Sequence, residues 1–495
     1  MPVKWFGALA AASLAMTLTS AGTLAQTPAP DPYARILTLE STRSLGDGEL
    51  AGYLASPDTR LAARAALAIG RTRLAAGAPL LLAHTTDDRT PVRAFAIYGL
   101  GLIGRPDDAK TIVEAEIASA GAVQIAGLDA IGRYQTAGNL GAYETLAAYA
   151  LSVRLHSSLD PIVRARAATE FGAFGTGPMS FFASLQLVKA VQTDKDDTVR
   201  WHALWSIYRA FPTRVPRELL TKCLHDKNEL VRLEAVRAYG RLKDKRAIAA
   251  LQPLLDDPSW RVQEQAHESI LILSGKPQSD HLTALLPDLH LPPTQPDPLA
   301  SLAALPRTGA TGKPIAPVVA DAIQLPLMPT TAAQMTSPAP GPHPRVRIVT
   351  TKGNLYLTLY PEWAPLTVAN FLNVADHGYF DNNRWFRIVP DFVVQTGDPT
   401  DNGDGDAGYS IGAEENPLEQ ATGIISMGMN YTDPPNAHAI RDSAGTQFYI
   451  DLSPQLHLNR DFTVFGKLVG GQDVLARLIE SDRMIRVERI PDVTL

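Results

Sequence analysis

The chain has 495 residues, 45% of them hydrophobic and 19% charged, with a formal net charge of −6 at pH 7. This is the make-up of a soluble globular protein with two or three folding units, and the slight negative charge argues against nucleic acid as a partner. A single cysteine, Cys223, excludes an intramolecular disulfide and a thiol-built metal cluster.

Lys4 followed by the apolar run Trp5–Leu18, with small residues Thr23 and Ala25 before Gln26, predicts a secretory signal peptide over residues 1–25. The run is too short to span a bilayer, so no stable membrane span is expected after cleavage. A periplasmic or secreted bacterial protein follows.

From residue 31 to 275 the sequence repeats a turn with aspartate, a Val-Arg or similar pair, and alanines at helical spacing. Copies begin at Asp87, Asp160, Asp196, Asp226 and Asp256, with diverged ones around Arg60 and Ile125. Each aspartate is placed to cap a helix, and Val and Ala at i and i+4 share one face. One helix pair cannot bury that face, whereas stacked neighbours can. The pattern resembles HEAT-type repeats, which implies an α-solenoid able to bind a protein partner. Cys223 falls in the apolar pattern as a core residue.

Residues 276–342 are rich in proline and poor in charge, without a sustained period. They read as an extended linker that leaves the following domain free to reorient, although apolar pieces such as IAPVVADAIQLPL are able to lie along the solenoid.

The region 343–495 carries about nine more acidic than basic side chains over its last 150 residues. Val346–Thr351 and Leu355–Tyr360 alternate around Lys352-Gly353-Asn354 as a hairpin, and an amphipathic helix follows from Ala364, burying Val368, Phe371, Leu372 and Ala375. Further strands end with Phe462–Val469, and a second helix is expected over Gln472–Glu480. These signals fit a closed antiparallel β-barrel with two capping helices, its core including Phe386, Ile388, Val394 and Phe465.

Four blocks, WFRIVPDFVVQTGD from Trp385, GIISMGM from Gly423, GTQFYI from Gly445 and FTVFGK from Phe462, closely resemble the cyclophilin family of peptidyl-prolyl cis-trans isomerases. The resemblance implies that Arg387 is the catalytic arginine and that Gln395 and Gln447 orient it and the substrate backbone. It places Phe392, Val393, Tyr449, Leu458 and Phe462 around the proline ring, and Gly428 and Met429 on the strand edge that holds the peptide. His457 stands where some members have tryptophan, Val393 where methionine is frequent, and Phe462 where histidine or tyrosine occurs. Residues 430–442 read as an insertion beside the groove.

The chemistry agrees with those residue types. The barrier to rotation, about 18–20 kcal/mol, comes from amide resonance, and it falls when a donor meets the pyramidalising nitrogen while an apolar pocket holds the ring. Neither cofactor nor metal is needed. Asn402, Asp404 and Asp406 mimic a calcium loop, but Ala407 and Ala413 stand where glycine and glutamate are required. The expected function is isomerisation of proline-containing clients during folding of exported proteins. The alternative is a non-catalytic scaffold whose barrel and repeats bind such peptides or partner proteins.

Overall fold

The computed structural model describes residues 31–276, 289–299, 314–317, 319–322, 327–339, 341–431 and 439–491. The expected signal peptide and the middle of the 430–442 insertion lie outside the described residues.

Residues 32 to 274 form helices throughout, and the second helices of successive pairs pack side by side: Thr59–Thr72, Thr90–Ile103, Gly121–Thr136, Pro161–Phe171, Asp197–Ala210, Glu229–Leu242 and Trp260–Ser274. The expected capping is found at Asp58, Asp160 and Asp196, whose side chains accept the amides of Arg60, Ile162 and Thr198. The other copies depart from it: Asn228 caps in place of Asp226, and the helices after Asp87 and Asp256 have Arg89 and Ser259 at their N-caps without a side-chain cap. The repeated arginine has a second use. Arg164 grips Asp194 (2.8 and 3.1 Å), Arg200 grips Asp226 (3.1 and 2.9 Å) and Arg232 grips Asp257 (2.7 and 2.8 Å), each reaching the turn of the next repeat. These forked pairs fix the register of the stack. Cys223 is buried, as its pattern requires.

The C-terminal region is one antiparallel sheet. Its strands are β1 (Arg345–Thr350), β2 (Gly353–Leu359), β3 (Asn383–Arg384), β4 (Arg387–Ile388), β5 (Val393–Thr396), β6 (Ile424–Met427), β7 (Phe448–Asp451), β8 (Val464–Gly470) and β9 (Arg483–Ile490), in the order β3-β9-β1-β2-β8-β6-β7-β5-β4. β1 and β2 form the expected hairpin, with Thr350 opposite Gly353. The helix Pro365–Asp376 buries Val368, Phe371, Leu372 and Ala375, and Phe371 meets Phe448 and Phe465 at ring distances of 5.3 Å.

Three expectations need correction. The sheet curls, but its ladder is not a closed barrel: β3 and β4 are its two ends, separated by Trp385 and Phe386. Trp385 buries its ring completely in the sheet core, which takes the chain out of the ladder there. Phe386, expected in that core, is instead half-buried at the groove described below. The second helix is a single turn, Gln472–Leu475.

From Pro32 onward the helical array and the sheet belong to one compact unit. The described parts of the proline-rich stretch are packed rather than free. Leu289 and Val319 lie against the sheet core, Leu327, Ala332 and Met335 against the array. The short helix Ala332–Thr336 starts with a Thr331/Gln334 capping box. Asp297 accepts from the Asn354 amide (2.6 Å) and the Tyr356 hydroxyl. Trp363, wholly buried, joins the array core with Phe95 edge-on at 6.2 Å. Burying an indole of this size is worth up to roughly 5 kcal/mol.

Arg71, also wholly buried, spans the same joint. It donates to Glu40 (2.9 Å) and to the carbonyls of Glu415 and Trp363 (2.8 Å each). Burial pushes the Glu40 carboxyl upward, yet Arg64 and Arg71 outweigh it and hold it at about 2. Among the described residues no helix is long and apolar enough to cross a membrane.

Candidate active site

A groove of about 730 Å³ opens on the sheet face between β4–β5, the loop after β5, the end of β6 and the segment before β8. It brings together Arg387, Phe392, Val393, Gln395, Gly428, Met429, Gln447, Tyr449, Leu458 and Phe462. Of the expected site residues, only His457 is absent from its lining.

Period-two alternation explains the division of labour. On β7, Phe448 and Ile450 point into the sheet core while Tyr449 turns to the groove. On β5, Val394 is core while Val393 and Gln395 face out. Val393, Tyr449, Leu458 and Phe462 form a separate apolar cluster with Phe392 and Met429 against it. Tyr449 and Phe462 meet edge-on at 5.7 Å. This is an apolar pocket, with no charged group in the cluster.

The polar half lies alongside. β4 pairs with β5 so that Arg387 sits opposite Gln395. Arg387 donates to Gln395 Oε1 (3.2 Å), Gln395 Nε2 donates to Gln447 Oε1 (3.1 Å), and Gln447 Nε2 donates to the carbonyls of Gly403 (2.8 Å) and Gly405 (3.0 Å). The relay fixes the direction of both amides, because each must present its oxygen to a donor on one side only. The Arg387 guanidinium also lies 5.2 Å from the centre of the Phe392 ring, exposed at the groove, and among the described residues no carboxylate pairs with it.

Motif reading missed what anchors the relay. Asp398 accepts the Thr400 amide (2.7 Å), the Thr400 hydroxyl (2.8 Å) and the amides of Asn402 (3.0 Å) and Gly403. Although burial raises it, these donors hold its carboxyl below the usual range. The fit is tight: a Cβ on Gly405 would lie 2.0 Å from Asp398 Oδ1. Asn402 and Asp406, the residues that mimic a calcium loop, accept the amides of Asp404 and Gly408. The signal was an aspartate followed by small and turn-forming residues, which describes an Asx-type loop as well as a metal loop.

The other missed residues come from the helical array. Asp391, at φ 54° just before Phe392, is held by Arg237, which donates to its Oδ1 (2.6 Å), its Oδ2 and its carbonyl (2.9 Å). Arg237 also reaches the Ser453 hydroxyl and the Pro454 carbonyl (3.1 Å). Glu264 accepts the Asp391 amide (3.1 Å), and Arg261 donates to the Leu452 carbonyl (2.7 Å). Arg460, between Leu458 and Phe462, reaches back to Asp129 (3.1 Å) and Glu170. No local sequence pattern distinguishes these helical arginines and acids from solvated ones.

The family model described as cyclophilin type peptidyl-prolyl cis-trans isomerase matches residues 345–493, and HEAT repeats match residues 184–271 and 216–290. Peptidyl-prolyl cis-trans isomerase B of Bacillus subtilis is 42% identical over 134 residues, 26% of this chain and 87% of that protein. A peptidyl-prolyl cis-trans isomerase of Synechococcus elongatus is 34% identical, covering 29% of this chain and 94% of its own length. The peptidyl-prolyl cis-trans isomerase-like 1 protein of Neurospora crassa is 38% identical, covering 27% and 79%. With a helical array containing HEAT repeats in front of it, the C-terminal region places this chain in the cyclophilin-type peptidyl-prolyl cis-trans isomerase family.

Proposed function

We propose that the chain isomerises X-Pro bonds in exported polypeptides, with Arg387 as the catalytic donor. The observation that carries this is the juxtaposition of the Arg387–Gln395–Gln447 relay with the apolar cluster of Val393, Tyr449, Leu458 and Phe462 in one groove. A proline ring seated on the cluster presents its nitrogen toward the guanidinium. As the amide twists, the nitrogen lone pair leaves conjugation and becomes an acceptor, so Arg387 binds the twisted state more tightly than either planar state. The glutamines restrain the arginine in advance, which lowers the cost of ordering it. No bond is made or broken, and no proton needs to move.

Residues 1–25 support delivery to the periplasm or beyond, where the enzyme would assist folding of newly exported chains, the helical array offering a surface for a client or partner protein. Recovery in the cytoplasm of a reporter enzyme fused to residues 1–30 would exclude the export step.

The catalytic reading is tested by cis-trans exchange of a short Ala-Pro peptide, followed by NMR with the full chain and its Arg387→Ala variant. Exchange accelerated by the wild type and reduced by about 10²-fold or more in the variant is expected. Exchange unaffected by folded wild-type protein would leave a peptide-binding scaffold instead.

A further inference from the structure

A second cavity, of about 700 Å³, lies between the helical array and the sheet domain and takes part of its lining from the segment that also lines the groove. Leu458 faces the groove, whereas His457 and Asn459 face the cavity. The wall between them includes two stacked rings, Phe392 on the groove side and His457 on the cavity side, 5.7 Å apart and 18° from parallel. This explains why His457 is not a groove residue.

The cavity is rich in guanidinium. Three of its arginines are already matched: Arg73 to Glu415 (2.9 Å), Arg133 to Asp129 (2.6 Å) and Arg460 to Asp129 (3.1 Å). Arg209 and Arg241 line it too, and among the described residues no carboxylate pairs with either. Arg209 lies over the Trp205 ring at 5.0 Å, an arrangement that orders the guanidinium while leaving its N–H edge available. The carboxylates on the lining are Glu170, engaged by Arg460, and Asp461. The lining thus carries five arginines against two carboxylates. The His457 imidazole, open at the cleft and backed by protein, is pushed down to about 4, first by desolvation and then by the field of Arg209, Arg237 and Arg241. It is neutral at pH 7 and adds a hydrogen-bonding edge without further charge.

We propose that this cleft binds an acidic stretch of the same polypeptide whose proline occupies the groove, with Arg209 and Arg241 as its carboxylate partners. The coupling of the two sites rests on the isomerase reading; the acidic preference does not. An extended chain covers about 3.3 Å per residue, so it crosses a wall two rings thick in roughly three residues. The enzyme would then favour prolines with glutamate or aspartate a few positions away.

The test uses the full chain and fluorescence anisotropy with labelled peptides that carry Ala-Pro, a three-residue Gly-Ser spacer and four glutamates, the acidic tract placed before or after the proline. Peptides with four glutamines serve as the reference. In one of the two orders the acidic peptide is expected to bind at least about tenfold more tightly than its glutamine counterpart at low salt, and the advantage falls below about twofold in Arg209→Gln/Arg241→Gln. Exchange of the short Ala-Pro peptide stays unchanged in that variant. Equal affinity for the two peptides in both orders, or an advantage undiminished in the double variant, would overturn the proposal. Should wild type fail to accelerate short-peptide exchange, the isomerase reading fails while the anisotropy comparison still decides the cleft.

Discussion

The two walls of the groove are held by different parts of the molecule. The apolar wall, Phe392–Val393 and Leu458–Phe462, is gripped from outside by Arg237, Arg261 and Glu264 of the array and, through Arg460, by Asp129 and Glu170. The polar wall keeps its hydrogen bonds within the sheet domain, from Asp398 through the 400–405 loop to Gln447, Gln395 and Arg387. The apolar pocket is therefore a property of the whole chain, whereas the arginine relay is a property of the sheet alone. A helical array that looks like a separate binding module in the sequence is a structural part of the site.

The largest expected effect breaks the held wall. Arg237→Ala leaves Asp391 and Glu234 buried without their cation, beside Glu264, and should destabilise the protein by about 3–5 kcal/mol. Thermal unfolding measures that loss. Exchange kinetics should show KM for a proline peptide rising several-fold more than kcat falls, since the pocket loosens while the relay stays. A proportionate fall in both would mean that the array does not position the pocket.

A smaller effect, with a defined sign in pH, sharpens the same point. Glu264 is wholly buried against Asp391, and burial followed by the Asp391 charge raises its carboxyl well above the usual range. The folded state thus holds a proton that the unfolded state releases above about pH 4.5. The stability associated with that proton is complete below this pH and declines as pH rises toward the folded value, by about 1.4 kcal/mol per unit. Glu264→Gln keeps an acceptor for the Asp391 amide and removes the slope. It should raise Tm at neutral pH and leave it nearly unchanged at pH 4; an equal shift at both values would contradict the buried, protonated state.

The smallest effect belongs to the exposed rim of the groove. Tyr431 lines the groove with its ring 6.1 Å from that of Phe462 and is about half exposed. Tyr431→Ala should change stability by no more than about 0.5 kcal/mol while weakening peptide binding a few-fold, read from the same melting and exchange curves. A loss of stability comparable to that of Arg237→Ala would show that the rim, and not only the array, holds the pocket.

Sequence alone determined the parts whose cause is local. Helical period and Asp caps placed the repeats, strand alternation and a Gly turn placed the β1–β2 hairpin, and of the eleven residues named from the ordered motif blocks ten line the groove. Alternation did not reveal that Trp385 rather than Phe386 fills the core, because either ring suits the pattern and only the curl of the sheet selects between them. Tertiary structure alone decided the joins. Arg71 with the Glu415 carbonyl, Arg237 with Asp391 and Arg460 with Asp129 lie 344, 154 and 331 positions apart in the chain. A helical arginine reads the same whether it meets water or a carboxylate, and the difference is made by burial, which removes water and leaves the partner as its substitute.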